Sequence, residues 1–136
     1  MSTDTLTIGR TVYLDTDMED ALDKVASALK AEGFGIITEI DVKQTLKTKI
    51  DVDFRPYRIL GACNPPLAHR ALSTSPQAGL LLPCNVTVSE IGLNRIEVSI
   101  IDPLALMNVV DDPNLRSVAE DAQAKLERVA DSLEES

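Results

Sequence analysis

The sequence predicts an α+β fold: a mainly antiparallel sheet of about five strands with two long helices packed on one face. Three observations predict it. Five segments alternate apolar and polar residues, the period of a half-buried strand. Two long segments instead repeat their apolar residues every three or four positions, the period of a helix lying on a core. The resulting order, β-α-β-α-β-α-β-β-α, leaves both long helices to bury their stripes against one side of the sheet.

Leu6, Ile8, Val12 and Leu14 alternate with Thr5, Thr7, Thr11 and Tyr13, and Arg10 interrupts the apolar row of this first strand. Thr16 and Glu19 have capping-box spacing. Met18, Leu22, Val25 and Leu29 then form a helical stripe that Gly33 ends, for a helix over about residues 17–32. Phe34, Ile36, Thr38, Ile40 and Val42 mark the second strand, after which Asp41 caps a short helix over about residues 42–49. Tyr57, Ile59, Gly61 and Cys63 mark a third strand. Asn64 and Pro65 then read as cap and first helical position, with Leu67, Ala68, Ala71 and Leu72 on one arc and His69, Arg70 and Ser73 on the other.

Residues 73–79 read as a loop. Leu80, Leu82, Cys84, Val86 and Val88 share one face of a long fourth strand, and Gly92 to Asn94 turns it into a fifth with Ile96, Val98 and Ile100 inward. After Asp102 and Pro103 a short apolar stretch leads to Asp112 and Pro113, a second cap-plus-proline start. The last helix carries Leu115, Ala119, Ala122, Leu126, Val129 and Leu133 at four-three-four-three-four spacing. The other sheet face presents Thr5, Thr7, Thr11, Asn85, Thr87, Ser89 and Ser99, and a second subunit or a ligand is expected to cover part of it.

A chain of 136 residues is expected to form a single domain spanning residues 1–136. Thirteen bases against 22 acids give a net charge of −9, and only four residues are aromatic. That balance argues against nucleic acid, which needs phosphate neutralisation and stacking platforms. No apolar run spans a bilayer and no secretory signal is read at the N-terminus, so a cytoplasmic chain with no membrane partner is expected. Residues 1–33 and 111–136 carry the net acidity, whereas Lys43 to Arg70 is locally basic, at +4.

The chemistry concentrates at Cys63 to Pro66. A thiol at a strand end, one residue before a helix cap, is where backbone amides and the helix dipole favour a thiolate or an anion. The expected site is therefore a small anionic ligand held by Cys63, Asn64, Arg55 and Arg58. The bland reading is that Cys63 is a small residue at a tight junction. Cys84 falls among core positions, although adjacent strands would bring it toward Cys63 as a redox pair. Two thiols and His69, without metal-ligand spacing, fall short of a zinc site, so neither a metal nor a cofactor is expected. Catalytic triads, phosphate-binding glycine loops and dinucleotide fingerprints are absent from the sequence.

Three strings, Gly33–Val42 (GFGIITEIDV), Phe54–Leu72 (FRPYRILGACNPPLAHRAL) and Leu80–Val86 (LLLPCNV), resemble the domain of unknown function 302 family, and Ile101 to Pro103 with the acidic last helix fits its C-terminal part. The resemblance implies a curved antiparallel sheet with helices on one side, like the TATA-binding protein, and dimeric members. It implies no activity. The family's pattern positions carried over are Gly33, Phe34, Glu39, Asp41, Asn64, Pro65, Ala68, Leu72, Pro83, Asp102 and Pro103, most of them structural in character. The expectation is thus a homodimeric binding module for a small anion, more a binder than an enzyme. The alternatives are a thiol-dependent enzyme or sulfur carrier using Cys63, and an interaction module without ligand.

Overall fold

The computed structural model describes residues 8–107 and 110–136. Strands β1 (Gly9–Leu14), β2 (Gly35–Asp41), β3 (Tyr57–Cys63), β4 (Cys84–Gly92) and β5 (Arg95–Ile101) form one antiparallel sheet in the order β1-β5-β4-β3-β2. Helices α1 (Met18–Ala31) and α5 (Pro113–Glu134) are long, while α2 (Val42–Ile50), α3 (Pro65–Thr74) and α4 (Pro103–Leu106) are short. The predicted fold class holds. None of the described helices is long and apolar enough to cross a membrane.

Register explains the core. Val12, Val98 and Val88 lie side by side across β1, β5 and β4, and Ile100, Val86 and Leu60 form the next row across β5, β4 and β3. Against these rows pack Ala21, Val25 and Leu29 of α1 and Leu126, Val129 and Leu133 of α5. All six residues of the last predicted stripe are buried. A second, smaller cluster joins Ala71 of α3, Ala78, Met107, and Leu115 and Ala119 of the first half of α5.

The ends of α1 show how local chemistry sets its limits. Asp17, not Thr16, is the N-cap, accepting from the Asp20 amide at 2.8 Å, while the Thr16 hydroxyl donates to the Asp20 carboxylate at 2.7 Å. The expected pairing of Thr16 with Glu19 is therefore replaced, because an ionised carboxylate is the stronger acceptor for a helix N-terminus. At the other end the Phe34 amide donates to the Leu29 carbonyl and the Gly33 amide to that of Lys30, both at 3.0 Å. Gly33 takes φ +84°, as this closure requires. Asp41, Asn64, Asp102 and Asp112 cap α2, α3, α4 and α5 as their positions predicted for all but the unforeseen α4.

Three strand expectations change. The expected residues Thr5, Leu6 and Thr7 lie outside the described residues; β1 runs from Gly9, and Ile8 is exposed. Arg10 interrupts the apolar row because it reaches α5, donating to Glu127 at 2.8 Å, to Asp131 at 2.7 Å and to Glu134. In β2 the register shifts between Ile36 and Thr38, so Ile36 and Glu39 point with the core face and Ile40 turns outward, 47% exposed. An inserted residue inverts alternation beyond it. The long fourth strand is shorter than predicted: Pro76–Leu81 forms a 3-10 helix with Leu80 84% exposed, and β4 starts at Cys84. Pro83 carries no amide with which to extend the ladder.

The outward sheet face carries the expected Thr11, Thr87, Ser89 and Ser99, with a hydroxyl bond of 2.9 Å between Thr11 and Ser99. Ser89 is buried there beneath Arg55, whose Nε donates to its hydroxyl at 2.8 Å.

Candidate functional site

The β3–α3 junction was expected to offer free amides to an anion. Its first helical turn offers none. Pro65 and Pro66 have no N–H, the Leu67 amide donates to Asn64 Oδ1 at 3.3 Å, and the Ala68 amide donates to the Asn64 carbonyl at 2.9 Å. Residues 65–68 of α3 thus leave no amide free. The Asn64 side-chain amide donates to the Glu32 carbonyl at 3.3 Å, which ties the end of α1 to the start of α3. A Cβ on Gly33 would stand 3.0 Å from Asn64 Nδ2, so Gly33 and Asn64 form one joint.

Neither arginine reaches this junction. Arg58 lies near the start of β3, five residues before Cys63, about 17 Å away at the rise of a strand. It pairs with Glu39 and, at 3.5 Å, with Asp41 on the neighbouring β2. Arg55 precedes β3 and sits on the outward face, its guanidinium 4.7 Å from the Phe54 ring centre and 5.8 Å from that of Tyr57. Strand polarity separates them from Cys63: the basic residues precede or begin β3 and the thiol ends it. His69 is exposed on α3, on the arc predicted to face solvent.

What the junction does carry is a cavity of about 540 Å³, at the end of the sheet between β3, β4, α3, the 3-10 helix and the first half of α5. Cys63, Asn64 and Cys84 line it, together with apolar side chains such as Ala68, Met107 and Ala119. Among the described residues, no charged or imidazole side chain does. The apolar lining was missed as a site, although α5 held a signal for it. Its stripe is small at Ala119 and Ala122, which face the cavity, and large at Leu126, Val129 and Leu133, which fill the core.

Cys63 and Cys84 are both free thiols and both half-buried. Cys84 pairs in register with Ala62, one residue before Cys63. The two residues are thus diagonal neighbours at the end of β3 and the start of β4, and both lie on the cavity wall. Burial first, and the neighbouring Cys63 second, push the Cys84 thiol up to about 11. A folded value raised above the ordinary 9.0 means that Cys84 costs no stability below about pH 9, and that stability falls as pH rises from there toward about 11. Iodoacetamide at pH 8 is accordingly expected to alkylate Cys84 in the native protein far more slowly than in urea, as read by peptide mass spectrometry; equal rates would contradict its burial as a neutral thiol.

An antiparallel sheet covered by helices on one face defines an α+β protein, and the cavity at the end of its sheet has no acid–base pair in its lining among the described residues. The chain belongs to the family described as Domain of unknown function DUF302, whose profile matches residues 10–133. It is similar to the crystal structure of an uncharacterized conserved DUF302 protein from Bacillus stearothermophilus, with 29% identity, a TM-score of 0.84, and 94% of this chain and 99% of that chain covered. No curated protein matches the chain.

Proposed function

We propose that this protein is a binding module for a small, uncharged and mainly apolar molecule held in the cavity at the end of β3 and β4. The observation that carries the reading is the lining: about 540 Å³, open in part to solvent, lined mainly by apolar side chains with two thiols and the asparagines Asn64 and Asn85, and with no charged group among the described residues. A cavity of this size and character is the usual form of a small-molecule site. A charged ligand there would lose hydration without meeting an opposite charge among the described residues, which costs several kcal/mol. This replaces the expected anion with a neutral ligand at the same junction. Titration with phenylnaphthylamine, a neutral fluorescent hydrophobe, is expected to give saturable binding of one molecule per chain. Fluorescence that rises without saturation, or not at all, would contradict the reading.

Thiol chemistry at Cys63 is the second reading, supported by its position on the cavity wall. Its weakness is that the lining supplies no base to take the proton.

The assembly we propose is a homodimer formed through the outward sheet face. Tyr13 and Ile40 are each 47% exposed there. The same face carries Glu97 beside Ser89, and Arg55, neither paired with an opposite charge among the described residues. One free charge of each sign on one face suits a two-fold contact, in which each copy's arginine meets the other's carboxylate. Light scattering of the wild type and of Thr87→Arg is expected to give a dimer and a monomer; a monomeric wild type would refute it.

A further inference from the structure

We infer that the 3-10 segment Pro76–Leu81 is a strap across the mouth of a cavity already open in part to solvent, and that its lifting widens the way in for ligand. The inference rests on the cavity being the binding site. The cavity has two unlike walls. One is the sheet end, where Ala62 and Cys84 are held in the β3–β4 ladder, backed by the continuous helix α5. The other is the strap, whose Ala78, Gly79, Leu80 and Leu81 line the same space.

The strap's hydrogen bonds are all local. The Ala78 amide donates to the Ser75 carbonyl at 3.0 Å, the Gln77 amide to the Ser75 hydroxyl at 3.2 Å, and the Leu82 amide to the Gly79 carbonyl at 3.3 Å. At its N-terminal end the Ser75 amide closes α3 on the Ala71 carbonyl at 3.1 Å, and at its C-terminal end the chain joins β4. What holds the strap down is side-chain packing in the small second cluster, where Ala78 is buried and Leu81 half-buried. Leu80 contributes little, being almost fully exposed.

Opening the sheet wall would break ladder bonds between strands. Lifting the strap breaks none of its own main-chain bonds and uncovers Ala78, part of Leu81 and the neighbours they cover in the small second cluster. Segments held by few buried contacts open first. The strap is flanked by Pro76 and Pro83, each with its φ fixed, so it moves as a short unit and does not unravel.

Two measurements test this. In native hydrogen exchange, amides of Gln77 to Leu82 are expected to exchange at least about tenfold faster than those of Ala119 to Leu126, and to slow when phenylnaphthylamine binds. Strap amides as protected as those of α5 would overturn the proposal. The second measurement pins the strap to α3. A Cβ on Gly79 would lie 3.6 Å from a Leu72 methyl, so the two side chains are in contact and within reach of a short bifunctional thiol reagent. In a Cys63→Ser, Cys84→Ala background, the Leu72→Cys, Gly79→Cys pair is expected to bind the probe at least about tenfold more slowly when bridged by a short bis-methanethiosulfonate than when reduced, and reductant restores the rate. Equal association rates in both forms would overturn the strap while leaving the cavity reading intact. Absence of saturable binding in the wild type would overturn the cavity reading instead, and with it the strap.

Discussion

Leu29→Ala is expected to lower the stability of the fold by about 2–5 kcal/mol, a large part of the margin that a domain of this size has. Leu29 has no exposed surface, and it stands where α1 meets the rows of valine and isoleucine on β4 and β5. Removing its branched side chain deletes the transfer free energy of three carbons and leaves a hole that a sheet and a second helix hold open. Its carbonyl also accepts the Phe34 amide that ends α1, a bond the substitution leaves in place. Urea unfolding provides the check: the midpoint should fall sharply with an unchanged slope, because the surface exposed on unfolding barely changes. Leu93→Ala, at the exposed tip of the β4–β5 turn, is the control and should stay within about 0.5 kcal/mol of the parent. Matching midpoints for the two variants would mean that the core is not where the packing places it.

Ala68→Phe is expected to weaken phenylnaphthylamine binding by about tenfold or more while changing stability by no more than about 1 kcal/mol. Ala68 is half-buried on the cavity side of α3, and a benzyl group there grows into empty space without displacing packed atoms. Loss of binding together with loss of folding would be a different event, and the melting midpoint separates the two. A folded Ala68→Phe with parental affinity would place the ligand elsewhere.

How much of this was legible in the sequence differs from element to element. The stripe from Leu115 to Leu133 was fully legible, since a helix on a sheet has one period and one buried side. The caps at Asp41, Asn64 and Asp112 were legible because each acts within three residues of itself. The β2 bulge was not, as Gly35 to Ile40 alternates acceptably in either phase and only the pairing of Thr38 with Gly61 fixes which. A Cβ on Gly61 would clash with the Thr38 hydroxyl and lie 2.7 Å from Pro83, so that glycine is needed by neighbours remote in sequence. The apolar run Leu80 to Leu82 fitted a strand as well as it fitted a 3-10 turn, and Pro83 decided between them.

For the cavity, the place was legible and the lining was not. Cys63 and Asn64 do line the cavity. The arginines were joined to them because they are close in sequence, but a strand carries residues apart by its rise, and Arg55 and Arg58 stay at the other end. The prolines that marked the helix start also removed the amides an anion would need. Cavities form where small side chains from distant segments meet, as Ala68 does with Ala119 and Met107, and no local pattern records that meeting.

The most direct test of an uncharged ligand at the end of β3 and β4 is a paired titration with two probes sharing one skeleton. Phenylnaphthylamine is neutral, and anilinonaphthalene sulfonate adds a single negative charge. The uncharged lining predicts that the neutral probe binds at least about tenfold more tightly, and that Ala68→Phe removes this preference. Equal or tighter binding of the sulfonate, competed by simple anions and lost in Arg55→Ala or Arg58→Ala, would contradict it and return the site to the arginines.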